Sequence, residues 1–411
     1  MSVLDAPGAG GPLPAGITGM PDLIFVSIED WDDVWRRNQF LCDGIARRFP
    51  ASKILFVGPP RDVSNLLRRG KLSELPAKAA RNVAGLPNVT VIRPLKLLPN
   101  SIGICRWFND WMARNFIRRA ARAAGLSKPL LWLNPQSAVS MAGKMGECAV
   151  IYDITDDWTE LPQSRAETRL IARHDARLCG LADAVIVCSE ALFEKKRPLA
   201  SSLHLIANGV HAAHYEKVLD RKGSREISWP GPVLGYVGTV HPSRVDIPLV
   251  AEIARKLPAG SVVLIGPDHL SARDRAELDG LGNVFRVGPV PYDRVPEYMG
   301  AFDLCIVPHC VTPFTESLNP IKLWEYLAAG KPIVSTRVAG FRDFPEHVLL
   351  ADNAEEFVRS ASQALGQDRS RGEARRREAR LHSWESRVDQ VVRVIESCVP
   401  AASREDLPYA G

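Results

Sequence analysis

The chain has 411 residues, of which 46% are hydrophobic and 24% are charged, and these are the usual proportions of a globular protein. This composition excludes a collagen-like chain, a disordered chain and a disulfide-stapled miniprotein. The formal net charge of +5 is compatible with anionic ligands but is too small to indicate a nucleic-acid partner. The eight cysteines contain no CxxC pair, so we expect reduced thiols in a cytoplasmic protein.

Membrane spans and targeting signals are not evident. No stretch reaches the ~18 uncharged apolar residues that a spanning helix needs. Residues 1–20 are rich in Gly, Ala and Pro and lack the basic start and apolar core of a signal peptide. We therefore expect residues 1–20 to form a flexible tail and any membrane contact to be peripheral.

Short apolar runs alternate with amphipathic helical patterns along most of the chain. Helical patterns lie at 34–48, 104–124 and 160–181. The predicted strands lie at 23–27, 53–57, 89–92, 130–133, 148–152, 184–188, 233–237, 261–265, 283–286, 304–307 and 332–335. This alternation predicts parallel sheets with helices on both faces.

A charged segment with Gly and Pro at 216–230 interrupts the alternation, which then restarts. We predict an α/β fold with two doubly wound, Rossmann-like domains, at 21–215 and 231–382, facing each other across a cleft. Residues 383–411 are predicted to form a C-terminal helix and tail that can cross back to the first domain. Because ligands of open α/β sheets bind beyond the carboxyl ends of the strands, the cleft is the expected site.

Two features of the second domain favour an anionic ligand. Gly238 ends a predicted strand and allows the backbone to approach a ligand closely, while Arg244 offers a forked contact to a phosphate. Farther on, Asn319 is a suitable N-cap for a helix over 320–329, whose free amides favour a diphosphate.

Lys322 and Glu325 are three residues apart and share a face of that helix. Lys322 can add charge at a phosphate, and Glu325 can accept hydrogen bonds from two ribose hydroxyls. The alternative is an ordinary capped helix with a surface ion pair.

At this point several segments, in order and spacing, resemble the GT-B glycosyltransferases, especially the family 4 (group 1) enzymes of cell-surface polysaccharide synthesis. These segments are 152–158, 182–189, 206–210, 235–238, 288–292 and 319–332. The resemblance runs from about residue 20 to 398. It implies GT-B architecture, with a nucleoside-diphosphate sugar as co-substrate on the second domain, the acceptor on the first, and no other cofactor.

The resemblance also assigns residues to the donor. They are Gly238, Thr239, Arg244, Gly288, Val290, Tyr292, Ser317, Leu318, Asn319, Lys322 and Glu325. Many family members have two glutamates separated by seven residues, but counting back from Glu325 gives Ser317, and Glu316 misses by one. At this position Ser317 can offer the donor only its hydroxyl or its backbone amide.

Candidate groups of the first domain follow its predicted strands. Asp156 and Asp157 are the catalytic candidates, since a carboxylate at the cleft can accept a proton from an acceptor hydroxyl or bind a donor hydroxyl. The alternative is helix capping, with Asp157 as the N-cap of a helix that begins near Trp158. The acceptor candidates are Asp30, Trp31, Arg37 and Gln39, and Trp35 is a second candidate for stacking on a sugar.

Metal binding is not predicted. Asp30 and Asp32 spell a DxD pattern, but they lie in the wrong domain for the diphosphate. His211 and His214 are expected to be solvated.

The sequence thus predicts a metal-independent glycosyltransferase that moves a sugar from a nucleoside diphosphate, with uridine the favoured base, to a glycan or lipid-linked saccharide. The resemblance favours retention of the anomeric configuration. A nucleotide-sugar epimerase of the same fold and a catalytically silent glycan-binding homologue remain alternatives.

The helix at 104–124 carries two stripes. Ile104, Phe108, Met112 and Phe116 are predicted to pack on the sheet. The second stripe suits an anionic membrane at the inner face of the plasma membrane, and its residues are Trp107, Trp111, Arg114, Arg118 and Arg122. The alternative is buried tryptophans beside a solvated arginine face.

Overall fold

The computed structural model describes residues 19–70, 80–218, 227–367 and 369–399. The predicted tail up to residue 18, most of the predicted linker and the last twelve residues lie outside these ranges.

The strands are short and, in the sheet centres, fully buried. In chain order they are β1 Leu23–Val26, β2 Ile54–Val57, β3 Arg61–Asp62, β4 Ala80–Val83, β5 Leu86–Ile92, β6 Leu95–Lys96, β7 Leu130–Leu133, β8 Ala149–Ile154, β9 Ala184–Val187, β10 Leu203–Leu205, β11 Val233–Val237, β12 Ser261–Ile265, β13 Val284–Gly288, β14 Leu304–Val307, β15 Ile333–Ser335 and β16 Val348–Leu350. All strands that the sequence predicts are present. The additional ones are short or lie at sheet edges, where the apolar signal is weak.

Helices connect the strands. They are α1 Arg37–Arg48, α2 Val63–Arg68, α3 Gly103–Ala123, α4 Arg165–Leu181, α5 Glu190–Lys196, α6 Ala212–Tyr215, α7 Ile247–Lys256, α8 Ala272–Asp279, α9 Val295–Gly300, α10 Pro313–Glu316, α11 Ile321–Ala328, α12 Ala354–Leu365, α13 Arg369–Arg380 and α14 Trp384–Cys398. Local capping fixes several starts. For example, α4 begins later than predicted because Ser164 and Glu167 form a reciprocal capping box there.

Two open sheets build the two domains, and β3 and β6 form a separate two-stranded parallel pair. The first has the order β10-β9-β8-β7-β1-β2-β5-β4 and is parallel except for its edge strand β4. The second has the order β13-β12-β11-β14-β15-β16 and is parallel throughout. Each sheet separates two hydrophobic cores, so both domains are doubly wound, as predicted.

The strand orders also locate the two places where ligands bind in such folds. In the first sheet the order reverses at β1, which pairs with β2 on one side and β7 on the other. In the second sheet it reverses at β11, between β12 and β14. The crevices beyond the carboxyl ends of β1 and β11 are therefore the expected binding positions.

The last helix returns to the first domain. Trp384, at the start of α14, stacks on Phe40 of α1 with ring centroids 4.8 Å apart. Asp389 forms an ion pair with Arg48, and Val388 and Val391 join the core of the first domain. The chain thus passes between the domains twice.

The burial pattern of α3 differs from the prediction. The buried positions are Asn109, Ala113, Ile117 and Ala121, whereas Ile104 is 70% exposed. Asn109 occupies the buried face because its side-chain oxygen accepts hydrogen bonds from the Leu97 and Leu98 amides, each at 3.2 Å. The prediction is therefore wrong for Ile104, whereas Phe116 of the same stripe packs against the core of the first domain.

Candidate functional site

The carboxyl ends of the two sheets face a shared cavity of about 210 Å³ between the domains. Glu29 reaches it from the loop after β1, and Gly238 and Thr239 reach it from the turn after β11. The crevices at the two strand-order reversals therefore join in one cavity.

Most of the predicted donor residues line this cavity. The predicted residues in its wall are Trp35, Arg37, Asp156, Gly238, Thr239, Arg244, Val290, Tyr292, Leu318, Asn319, Lys322 and Glu325. The predicted residues outside its wall are Asp30, Trp31, Gln39, Asp157, Gly288 and Ser317.

Lys322 is the central cation of the second-domain wall. Within the described ranges its ammonium has no hydrogen-bond or ion-pair partner, and it lies 5.3 Å from the centroid of the Tyr236 ring. Burial, with repulsion from Arg244, lowers the pKa of Lys322 to about 8. A buried cation without a counterion favours an anionic ligand.

The turn after β11 brings backbone close to that cation. Gly238 has a φ of +141°, and a Cβ there would lie 2.5 Å from the Lys322 ammonium nitrogen. The Gly238 amide donates to the Ile265 carbonyl at 2.7 Å, which fixes the turn. Only glycine fits this position, because the Lys322 side chain occupies the space that a Cβ would need.

Arg244 joins the two walls. Its guanidinium lies 3.4 Å from Oδ1 of Asp156 in the first domain and 5.2 Å from the centroid of the Phe314 ring. Together with Lys322 it places two positive charges beside the Gly238 turn. This group of charges suits a diphosphate.

Glu325 lies one turn deeper than Lys322 on α11. Its Oε1 accepts a hydrogen bond from the Tyr215 hydroxyl at 2.9 Å. Burial raises the pKa of Glu325, while this hydrogen bond and Lys322 oppose the rise. The Tyr215 hydroxyl orients the carboxylate and leaves its other oxygen for a ligand hydroxyl.

One end of the cavity is apolar and aromatic. Val290, Ile265 and Pro267 line it, and the Tyr292 ring lies between Trp35 at 5.8 Å and His214 at 4.2 Å. His214 is therefore half-buried against an aromatic ring, and the expectation that it is solvated is wrong. A planar ring system suits such a slot.

Asn319 does not cap α11, contrary to the prediction. The cap position is Pro320, and the Asn319 side-chain oxygen accepts from the Asn208 amide of the first domain at 2.9 Å. The Asn208 side chain in turn donates to the Asn319 carbonyl at 2.5 Å. The Asn319 side chain thus forms a hydrogen bond between the domains instead of capping the helix.

Ser317 also forms interdomain contacts. Its hydroxyl accepts from the Asp157 amide at 3.3 Å, and its carbonyl accepts from the Ser189 hydroxyl at 2.6 Å. Its own hydroxyl donates to the Phe314 carbonyl at 2.7 Å. Ser317 thus fixes the loop before α11 against the first domain.

The two catalytic candidates differ in position. Asp156 lines the cavity, whereas Asp157 caps a 3₁₀ turn at Trp158–Glu160 and forms an ion pair with Lys195 at 2.5 Å. The Asp157 side chain therefore caps a short helical turn, which is the alternative given for it in the sequence analysis.

The acceptor candidates are mostly engaged elsewhere. Asp30 pairs with Arg93 at 2.9 Å, Trp31 is buried, and the Gln39 side chain belongs to the capping box of α1. Arg37 lines the cavity, but its guanidinium is held by the buried Asp153 at 2.9 Å. Within the described ranges no group of three or more His, Cys, Asp or Glu side chains is arranged to hold a metal ion.

Several lining residues were missed from the sequence. Glu29 is one residue before the candidate Asp30, Gly266 follows β12, and His309 follows β14. All three lie within three residues of the end of a buried strand, which is the signal they share. Burial holds the pKa of His309 well below its usual range, so its imidazole is neutral.

The site therefore combines an anion-binding turn, a carboxylate for hydroxyl groups and a slot for a planar ring. Residues 231–367, which contain all three, match the family described as Glycosyl transferases group 1. The second domain therefore matches the glycosyl transferases group 1 family over most of its length.

One curated relative extends the similarity beyond the group 1 domain. A Bacillus subtilis (strain 168) protein, TuaH, named as a glycosyltransferase of teichuronic acid biosynthesis, is 29% identical over 265 residues. The match covers 59% of this chain and 66% of TuaH, so the chain spans just under two thirds of that relative.

Solved structures match the whole two-domain arrangement. Anabaena HepE in complex with UDP and glucose has a TM-score of 0.65 at 15% identity, covering 92% of this chain and 100% of HepE. An α,α-trehalose 6-phosphate synthase from Burkholderia multivorans has a TM-score of 0.65 at 14% identity, covering 93% and 100%. The chain has the GT-B fold, with the group 1 domain as its second half.

Proposed function

We propose that this protein is a glycosyltransferase that moves a sugar from a UDP-sugar to a hydroxyl of a glycan or lipid-linked saccharide in polysaccharide synthesis. The observation that carries the proposal is the unpartnered Lys322 ammonium, which lies beside the Gly238 turn and one helical turn from Glu325. A nucleoside diphosphate supplies the anion that Lys322 lacks and the ribose hydroxyls that Glu325 accepts.

The comparisons support this reading. The name of TuaH supports a polysaccharide acceptor, and the UDP in the HepE complexes supports uridine as the base. In this proposal Arg244 and Lys322 bind the diphosphate, and the slot at Val290 and Tyr292 takes the base.

Incubation with radiolabelled UDP-sugars tests the activity. Transfer to an acceptor, or slow release of free sugar, supports a glycosyltransferase. Formation of an epimeric nucleotide sugar would instead identify an epimerase. The absence of both reactions, with UDP still bound, would identify a silent binding homologue.

We further propose that transfer needs no metal ion and retains the anomeric configuration. Lys322 and Arg244 supply positive charge at the diphosphate, and retention rests on the family resemblance. Full activity after EDTA treatment is expected, and NMR of the first-formed product gives the configuration. Recovery of activity only on adding a divalent cation would contradict metal independence.

Asp156 is proposed to bind a hydroxyl of the donor sugar while it holds Arg244. The Asp156→Asn variant should lower turnover by about tenfold, since one charge-assisted hydrogen bond contributes about 1.5–3 kcal/mol and asparagine keeps part of it. UDP affinity, measured by calorimetry, should change less than threefold. Unchanged turnover would show that Asp156 only positions Arg244.

We propose that the protein acts at the cytoplasmic face of an anionic membrane through the exposed N-terminal half of α3. Ile104, Trp107 and Trp111 are 70%, 58% and 47% exposed, so the expectation of buried tryptophans is wrong. Beside them Arg106 and Arg177 line a basic recess. In the described ranges no helix is long and apolar enough to span a bilayer.

Replacing Trp107 and Trp111 by serine should therefore reduce binding to anionic liposomes severalfold, because interfacial tryptophans anchor helices at membrane surfaces. Co-sedimentation at low and high salt measures it, and binding should weaken with salt. Leu365→Ser is the matched control, since Leu365 is 42% exposed on the second domain. Equal binding by both variants would contradict the membrane surface.

A further inference from the structure

Three carboxylates line the first-domain wall of the cavity, those of Glu29, Asp33 and Asp156. Asp33 is exposed, whereas Glu29 and Asp156 are less exposed and differ in their partners. Both oxygens of Asp156 are engaged, Oδ1 with Arg244 at 3.4 Å and Oδ2 with the Thr155 hydroxyl at 3.2 Å. Oε2 of Glu29 is buried and has no hydrogen-bond partner within the described ranges. Its Oε1 lies 3.9 Å from the Arg36 guanidinium, which is beyond hydrogen-bonding distance.

An unpartnered buried carboxylate oxygen is costly, so its persistence in a ligand cavity points to a partner that arrives with the substrate. Glu29 follows β1 at the strand-order reversal of the first sheet. It enters the cavity from the wall opposite the Gly238 turn and Lys322. A donor whose diphosphate binds at Lys322 therefore places the acceptor side of its sugar toward the domain that carries Glu29.

We propose that Glu29 accepts the proton of the acceptor hydroxyl during glycosyl transfer. This inference rests on the proposed function and adds a residue to it. The acceptor oxygen forms a bond to the anomeric carbon, and the bond from that carbon to the diphosphate oxygen breaks. The electron pair of the broken bond stays on the diphosphate, and the proton of the hydroxyl moves to Oε2 of Glu29. The proton acceptor must lie beside the attacking oxygen, so the step is compatible with retention or inversion.

The charged groups around Glu29 suit this role. Burial raises the pKa of Glu29 to about 7, with Asp156 and Asp32 raising it further and Arg36 and Arg244 opposing the rise. A carboxylate with a pKa near the working pH is a better proton acceptor than one that is fully ion-paired. Asp156, held by Arg244, is the weaker candidate for the same step.

The pH dependence of transfer by the full chain tests the inference. In the wild type, kcat at saturating donor should rise as pH increases through about 7 and level off above that value, because only ionised Glu29 accepts a proton. Glu29→Gln should lower kcat by about 10²–10⁴ and remove this rise. Asp156→Asn should keep the rise.

Two further measurements separate a proton acceptor from a structural residue. Added formate should restore part of the activity of Glu29→Ala, because a small carboxylate can occupy the vacated space. The UDP affinity of Glu29→Gln should stay within about twofold of wild type, which shows that the cavity is folded. Glu194→Gln is the control, since Glu194 is an exposed carboxylate of the first domain whose ion-pair partner is Arg197.

A Glu29→Gln variant that turns over within fivefold of wild type, or that keeps the pH-dependent rise, would overturn this inference and leave the proposed function intact. Absence of any transfer by the wild type would overturn both.

Discussion

Replacing Lys322 by alanine should weaken UDP binding by about ten- to a hundredfold and leave uridine binding nearly unchanged. The variant removes an ammonium that has no direct hydrogen-bond or ion-pair partner in the described ranges and lies beside the Gly238 turn. A hydrogen bond to a charged group contributes about 1.5–3 kcal/mol, which sets the size of the loss. Calorimetry with UDP and with uridine measures the difference.

The same variant should remove a pH effect. The pKa of Lys322 is lowered to about 8, so the ammonium loses its proton as pH rises through that value. A diphosphate binds the charged form better, so wild-type UDP affinity should fall between pH 7 and pH 9, and the variant should lack this fall. Lys256→Ala is the control, because Lys256 is a surface residue of the same domain and the change in net charge is equal. Equal losses for UDP and uridine would place Lys322 away from the diphosphate.

Replacing Glu325 by alanine should weaken UDP and uridine alike, by about ten- to a hundredfold, because both ligands carry the ribose. Pyrophosphate binding should change little, which is the reverse of the Lys322 pattern. Calorimetry with the three ligands checks this result.

A control variant is needed for Glu325 because its carboxylate also accepts a hydrogen bond from Tyr215. Alanine also removes the acceptor of the Tyr215 hydroxyl, so some loss could reflect a disturbed Tyr215. Glu325→Gln keeps an oxygen for Tyr215 and differs from the native side chain only in charge and one donor group. If both variants bind uridine as wild type does, the ribose assignment is wrong.

The parts of the fold that follow from local pattern are predictable from the sequence. The runs LIFV in β1 and LLWL in β7 are buried at every position, so composition alone identifies them as central strands. The positions of Gly238 and Lys322 are also predictable, because each follows a strand of the second domain, Gly238 in a turn and Lys322 in a helix.

The predictions fail where a residue distant in the sequence determines the hydrogen bonds or the burial of a side chain. Asn319 has the local chemistry of a helix cap, yet Asn208 takes its side chain. On α3 the apolar spacing favours a face through Ile104, but the loop amides at Leu97 and Leu98 bring Asn109 inward. Glu29 has no local signal that separates it from Asp30, because only the tertiary structure leaves one of them unpartnered.

The two passages of the chain between the domains contact each other. Val210, where the chain leaves the first domain, pairs with Ser383, where it returns, and the Val210 amide donates to the His382 carbonyl at 2.9 Å. A Cβ on Gly209 would lie 2.9 Å from the Trp384 amide nitrogen, so glycine permits this close approach. Both passages therefore lie side by side, and backbone hydrogen bonds join the connections between the domains at one place.

The contacts between the domains beside the cavity include that of Asn208 with Asn319 and that of Asp157 with Ser317. Both contacts must break if the cleft opens to admit a donor. Ser317, at the position where many members of the resembled family have a glutamate, is therefore a link between the domains in this chain.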